Sequence, residues 1–220
     1  MRDEKVDILR FIGIAMIILD HVHPPSLLDQ LRNFDVPLMV MISGISFSLS
    51  YRDESYISYI WKRIKRLLFP VWIFLTAYFF FVYTTGYPIT LPDAKTIAAS
   101  YLLLHGIGYV WIIRVFLLVA IAAPAILKFS RDTSSQVRYF SVLGAIYIAY
   151  EISLYLCKPY LTTIAGQIFE VVVLYLIPYA IVFAVGLRLH QLSRTQVMCS
   201  TVGAFVVCAA LGLADRKSVV

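Results

Sequence analysis

The run Val6-Asp7-Ile8-Leu9-Arg10-Phe11-Ile12-Gly13-Ile14-Ala15-Met16-Ile17-Ile18-Leu19-Asp20-His21, closing with Val22 and His23, decides the fold. It is long and apolar enough to cross a hydrocarbon layer as a helix. Arg10 and Asp20 stand inside it, and Pro24-Pro25 follows where a cleaved leader would show small residues. It reads as an uncleaved first membrane span. The chain around it has the same character: 60% of its 220 residues are hydrophobic and 15% charged, with a mean hydropathy of +0.81. Soluble domains hold roughly 45–50% apolar residues, so a soluble fold could not hide this surface.

Apolar runs fall near 6–23, 34–51, 67–86, 110–128, 139–157, 168–189 and 197–214. The expectation is therefore all-α: a polytopic transmembrane helix bundle of about seven spans. It forms one membrane-embedded domain over 1–220, with no sizeable water-soluble part. Basic residues alternate with the spans. Arg2 and Lys5 precede the first, Arg52, Lys62, Arg63, Lys65 and Arg66 follow the second, Lys128, Arg131 and Arg138 the fourth, Arg188 and Arg194 the sixth. The positive-inside rule then puts the N-terminus in the cytoplasm, segments 24–33, 87–109 and 158–167 outside, and Val220 outside. Pro88, Pro92 and Gly106 interrupt 87–109, and its amphipathic portion Thr96–Leu104 is expected to lie along the outer surface. The net charge of +6 thus reports orientation, and no nucleic acid partner is expected. Cys157, Cys199 and Cys208 lack metal-ligand spacing, so no metal site is expected. No internal repeat is visible, which counts against a transporter built from inverted halves.

Ionisable groups inside a bilayer are costly and call for a role. Arg10 and His21 are eleven residues apart, about 16 Å along a helix and on one face of it. One reading is chemistry threading the membrane; the other is a snorkelling arginine and a hydrogen-bonded histidine at a helix end. Arg63-Ile64-Lys65-Arg66 has two readings as well: a phosphate-binding group or a plain topology determinant. Asp20, His21, Asp35, Arg114, Glu151 and Glu170 fall toward the outer side and suggest a polar cavity, although pairs such as Arg114 with Glu151 or Glu170 could be structural. Ser43-Gly44 reads first as a helix-packing pair. The aromatic run Tyr78-Phe79-Phe80-Phe81 reads as lipid-facing.

Asp7-Ile8-Leu9-Arg10 through Asp20-His21 resembles the first-helix signature of the membrane acyltransferase family 3, an arginine and a histidine with ten residues between them. Asp35-Val36-Pro37-Leu38 with Ile42-Ser43-Gly44 is similar to its second-helix motif, and Arg63-Ile64-Lys65-Arg66 to its Arg-x-x-Arg element. Trp111-Ile112-Ile113-Arg114, with Pro124 behind, is a looser match to a later helix. The resemblance implies an O-acyltransferase of the bacterial plasma (inner) membrane, with no bound cofactor. The donor would be acyl-CoA, usually acetyl-CoA, and the acceptor an envelope saccharide or lipid-linked glycan, as in lipopolysaccharide or exopolysaccharide. His21 would be the catalytic base, since histidine exchanges protons near neutral pH. Asp35 or Asp20 would orient it. Arg10, Arg63 and Arg66 would bind acyl-CoA, while Asp20, Ser43, Trp111, Arg114, Glu151 and Glu170 would line the substrate cavity. The family has more spans than are counted here, so the chain is expected to lack a C-terminal part. A transporter or exporter, or a non-catalytic membrane subunit, are the competing functions.

Overall fold

The computed structural model describes residues 4–22, 25, 34–51, 53–86, 91–104, 107, 110–157, 163, 166 and 169–203, and every regular element among them is helical. In chain order these are α1 (Glu4–Asp20), α2 (Asp35–Ser50), α3 (Tyr56–Thr85), α4 (Ala94–Tyr101), α5 (Val110–Asp132) and α6 (Gln136–Cys157). A π-helical turn, Glu170–Leu174, then leads into α7 (Tyr175–Leu189). Six of the seven expected spans coincide with helices; the seventh begins within a helix at 194–203 and otherwise lies outside the described residues. Helices α3, α5 and α6 are long and apolar enough to cross a membrane, whereas α2 and α7 are apolar but shorter.

The chain forms two compact units, Met1–Leu187 and Arg188–Val220. In the second, Ser193 Oγ accepts from Gln196 N–H at 3.2 Å while Gln196 Oε1 accepts from Ser193 N–H at 2.9 Å. This reciprocal capping box starts the 194–203 helix by satisfying two donors that a helix end leaves free.

The first unit is organised around α2. Its Val36, Val40 and Phe47 are buried with Tyr59 of α3, Val115, Val119, Ala123 and Leu127 of α5, and Phe183 and Leu187 of α7. The α2–α7 crossing is a backbone contact. A Cβ on Gly44 would lie 2.3 Å from the Phe183 carbonyl oxygen, and one on Gly186 would lie 2.1 Å from that of Met41. Without water-driven attraction between spans, close approach of small residues is what packs them. On the other side, Arg10 of α1 donates to Ser46 of α2 at 2.5 Å and Gly13 abuts Met39, so α1 and α2 run antiparallel. Helix α6 is pinned to α7 by the buried Tyr139 hydroxyl, which donates to the Ala184 carbonyl at 2.8 Å.

Helix α4 is short and packs on α3: Trp72 Nε1 donates to the Tyr101 carbonyl at 3.0 Å, and the Thr76 and Tyr101 hydroxyls are 2.8 Å apart. Trp72 and Thr76 lie nine to thirteen residues short of the α3 end at Thr85, about 13–20 Å along the helix from it. Leu103 and Val110 are buried there against Leu75 and Phe79. Helix α3 ends at Gly86, whose φ of 64° lets its N–H reach the Val82 carbonyl at 2.9 Å in a left-handed cap.

Two predictions follow from these contacts. Gly44→Leu or Gly186→Leu should force α2 and α7 apart at a cost of roughly 1–3 kcal/mol, read as a lower unfolding midpoint in detergent; an unchanged midpoint in both variants would contradict the crossing. At the α4 start, hydrogen bonds from the Thr96 side chain and then its backbone N–H (3.3 Å) hold the exposed Asp93 carboxyl below its ordinary range. A depressed carboxyl stabilises the folded form above its unfolded pKa and loses that contribution as pH falls through the folded one. Amide exchange at Ala94–Thr96 should therefore speed up as pH drops below about 4 relative to Asp93→Asn, after correction for intrinsic rates.

Candidate functional site

Lys62, Arg63, Lys65 and Arg66 occupy one stretch of α3 just before its apolar portion, and all four line a cavity of about 840 Å³. Its other walls include Phe47, Tyr51, Asp53, Glu54 and Tyr59. The acids are engaged: Glu54 pairs with Lys62, and Asp53 lies 3.8 Å from Arg131. Arg63 instead stacks over aromatic rings, 5.1 Å from the Tyr59 centroid and 5.9 Å from that of Phe47. Neither Arg63 nor Arg66 meets a carboxylate at salt-bridge distance among the described residues. A guanidinium held by π faces keeps its fork of N–H donors for a ligand, and that fork matches phosphate oxygens.

A second cavity of about 130 Å³ adjoins the first, sharing Phe47, Tyr59, Arg63 and Arg66 with it. Beyond the arginines its lining is apolar, with Leu67, Phe116, Val119, Ala120, Ala123 and Phe183, and Ser43 is its polar member. The Ser43 hydroxyl donates to the Met39 carbonyl at 3.0 Å, and Ser43 sits beside Gly44 at the α2–α7 crossing. The packing reading of Ser43-Gly44 and a cavity position therefore both hold.

Arg10 meets α2 at Ser46, about one turn past Ser43 of this slot. It pairs with Asp7 at 2.8 Å besides its bond to Ser46. His21 stands just past the α1 end, exposed, with Nδ1 2.7 Å from the Ile17 carbonyl. A carbonyl only accepts, so Nδ1 carries the hydrogen and Nε2 is the acceptor nitrogen of the neutral ring. The Ile17 carbonyl is thus one partner of the ring. Asp35 is buried in the first turn of α2 and accepts from the Val36 N–H at 2.6 Å. The side chain of Asp20 lies outside the described residues.

Toward the other end of the bundle, Pro37, Tyr150, Glu170, Leu174, Tyr175 and Tyr179 line a cavity of about 460 Å³. Glu170 and Leu174 bracket the π-helical turn, a distortion found often at functional sites. Glu151 is not part of this wall; it lies exposed on α6, hydrogen-bonded with the Tyr147 hydroxyl. Trp111 packs beside Tyr175, with ring centroids 6.3 Å apart. Arg114 is buried behind the same tyrosine, its guanidinium carbon 4.5 Å from the ring centroid. It donates to the Leu103 carbonyl at 3.1 Å and to the Leu104 carbonyl. Both carbonyls belong to the turn that follows α4. Among the described residues Arg114 meets neither Glu151 nor Glu170, so the ion pairs expected for it are replaced by carbonyls and a π face. Sequence reasoning missed Tyr59, Phe47 and the outer tyrosines; the four-residue spacing of Tyr59 and Arg63 was the available signal.

An all-helical bundle with helices long and apolar enough to cross a membrane defines the class, a membrane protein, and a cationic cavity lies at one end of it. The sequence pattern of the acyltransferase domain family matches residues 3–215, nearly the whole chain, and the protein belongs to this acyltransferase family. It is a membrane acyltransferase. No curated protein and no solved structure matches it.

The carbonyls held by Arg114 give a prediction. Arg114→Met should leave both without partners at roughly 1–3 kcal/mol each, lowering the amount of folded protein in membranes, with Arg114→Lys intermediate. Equal thermal stability of Arg114→Met and wild type in detergent would exclude the role.

Proposed function

We propose that the protein transfers an acyl group, acetyl foremost, from cytoplasmic acyl-CoA to a hydroxyl of an envelope saccharide or lipid-linked glycan on the outer side of the bacterial inner membrane. The chain would be multi-pass with its N-terminus in the cytoplasm, as the alternation of basic segments implies. The observation that carries the reading is the vestibule: Arg63 and Arg66, stacked or unpaired with acid, open onto an apolar slot that leads into the bundle. An acyl-CoA has that form, with a phosphate-rich head followed by a thin, weakly polar arm. Arg63 and Arg66 would hold phosphates, with Lys62 and Lys65 adding to the local field. Arg10 would add charge where the arm passes Ser46.

The lengths agree. From Arg10 to His21 is eleven residues, about 16 Å. A pantetheine arm has the length of about five extended peptide residues, and spans about 16 Å at 3.3 Å each. An arm of that length would match the rise along α1 from Arg10 to His21. There, Nε2 of His21 would take the proton of the acceptor hydroxyl as that oxygen attacks the thioester carbonyl; collapse would release the CoA thiolate, which takes the proton back. The Ile17 carbonyl supports this role by fixing Nδ1–H. The outer cavity, with Glu170 and three tyrosines, suits a saccharide, whose hydroxyls and apolar ring faces match carboxylate and phenol surfaces. Asp35, at the outer start of α2, would act on the site through local charge.

The test is labelled acetyl-CoA supplied to membranes carrying the chain, with envelope glycans present. His21→Ala should lower label transfer by about 10²–10⁴-fold, as loss of a general base does, with little change in donor KM. Transfer at the wild-type rate would refute the assignment of His21.

A further inference from the structure

The slot behind the vestibule holds more information than its direction. Its volume is about 130 Å³, near the roughly 150 Å³ that admits a benzene-sized group and far below what an adenosine head requires. It exists because α5 presents Ala120 and Ala123, three residues apart on one face, to a ring of Phe47, Phe116 and Phe183. Ala123 is fully buried and Val119 nearly so, which makes the floor rigid. Any longer side chain at either alanine would occupy the space. Arg63 and Arg66 line both the slot and the larger cavity, so they stand where the two meet.

We propose that the slot receives the proximal arm of the donor, next to the phosphates, and that Ala120 and Ala123 are the specificity-determining residues that admit a slender chain there and refuse a bulkier one. This rests on the vestibule binding the phosphates of the donor. The acyl group itself passes beyond, so the slot selects by the arm and not by acyl length.

Binding to the solubilised full chain separates the parts, using adenosine 3′,5′-bisphosphate (a head without an arm), acetyl-CoA and hexanoyl-CoA. Ala120→Leu should weaken acetyl-CoA and hexanoyl-CoA equally, on the order of tenfold or more, with bisphosphate affinity unchanged and Ala120→Val intermediate. Unaltered bisphosphate binding also shows that the variants fold; Ala123→Val repeats the test from the next turn. Thioester affinities unchanged in all three variants would overturn the proposal, as would a loss confined to hexanoyl-CoA, which would put the acyl end in the slot. Bisphosphate affinity lost in step with the thioesters, even in Ala120→Val, would overturn it too. The vestibule reading fails separately, if bisphosphate affinity is indifferent to Arg63→Gln and Arg66→Gln.

Discussion

The close approach of α2 and α7 at Gly44 and Gly186 sets the geometry of everything else in the first unit. With Cβ positions within 2.1–2.3 Å of opposing carbonyl oxygens, the two backbones touch, and no residue larger than glycine fits without separation. That contact fixes Ser43 and Phe47 on one side and Phe183 on the other, which are three walls of the slot. It also leaves α5 to close the remaining side with alanines. Cavity and packing are thus one feature: glycines bring the helices together, aromatics hold them just far enough apart beside the crossing, and alanines keep the space from filling.

Charge is handled differently at the two ends of the bundle. In the vestibule, acids neutralise Lys62 and Arg131, and π faces support Arg63. The net excess is cationic in a partly enclosed space, where a field acts more strongly than in bulk water. Farther along, the buried cation Arg114 meets no carboxylate among the described residues and is committed to peptide carbonyls and Tyr175. The buried guanidinium is offset in part, since Nη1 serves two carbonyls and a ring covers the carbon, while Nε is buried with no hydrogen-bond partner. Tyr175 connects that support to the outer cavity, since its ring both stacks on Arg114 and lines the wall.

Helix positions were legible in the sequence because a bilayer demands long apolar runs, and the α1–α3 motifs lie where their spacing put them. What was not legible depended on rotation and on tertiary choice. Glu151 and Glu170 fall at similar expected depths, yet the turn of α6 exposes one while the π-helical turn brings the other into a cavity. A single widened turn leaves no pattern in composition. The amphipathic stretch after Asp93 does not name its packing partners, and Leu75, Phe79 and Trp72, some twenty or thirty residues away, supply them. Arg114 was visible as an ionisable group in a span, but its carbonyl partners were not, because a backbone acceptor has no sequence signature.

A histidine at a helix end can be tied to its own helix. The Ile17 carbonyl, four residues earlier in the chain, lies 2.7 Å from His21 Nδ1. Because a helix end leaves its last carbonyls without amide partners, such an acceptor comes with the secondary structure. Where α1 stops therefore bears on how the ring is held, and the helix terminus and the placement of this histidine are linked by the backbone itself.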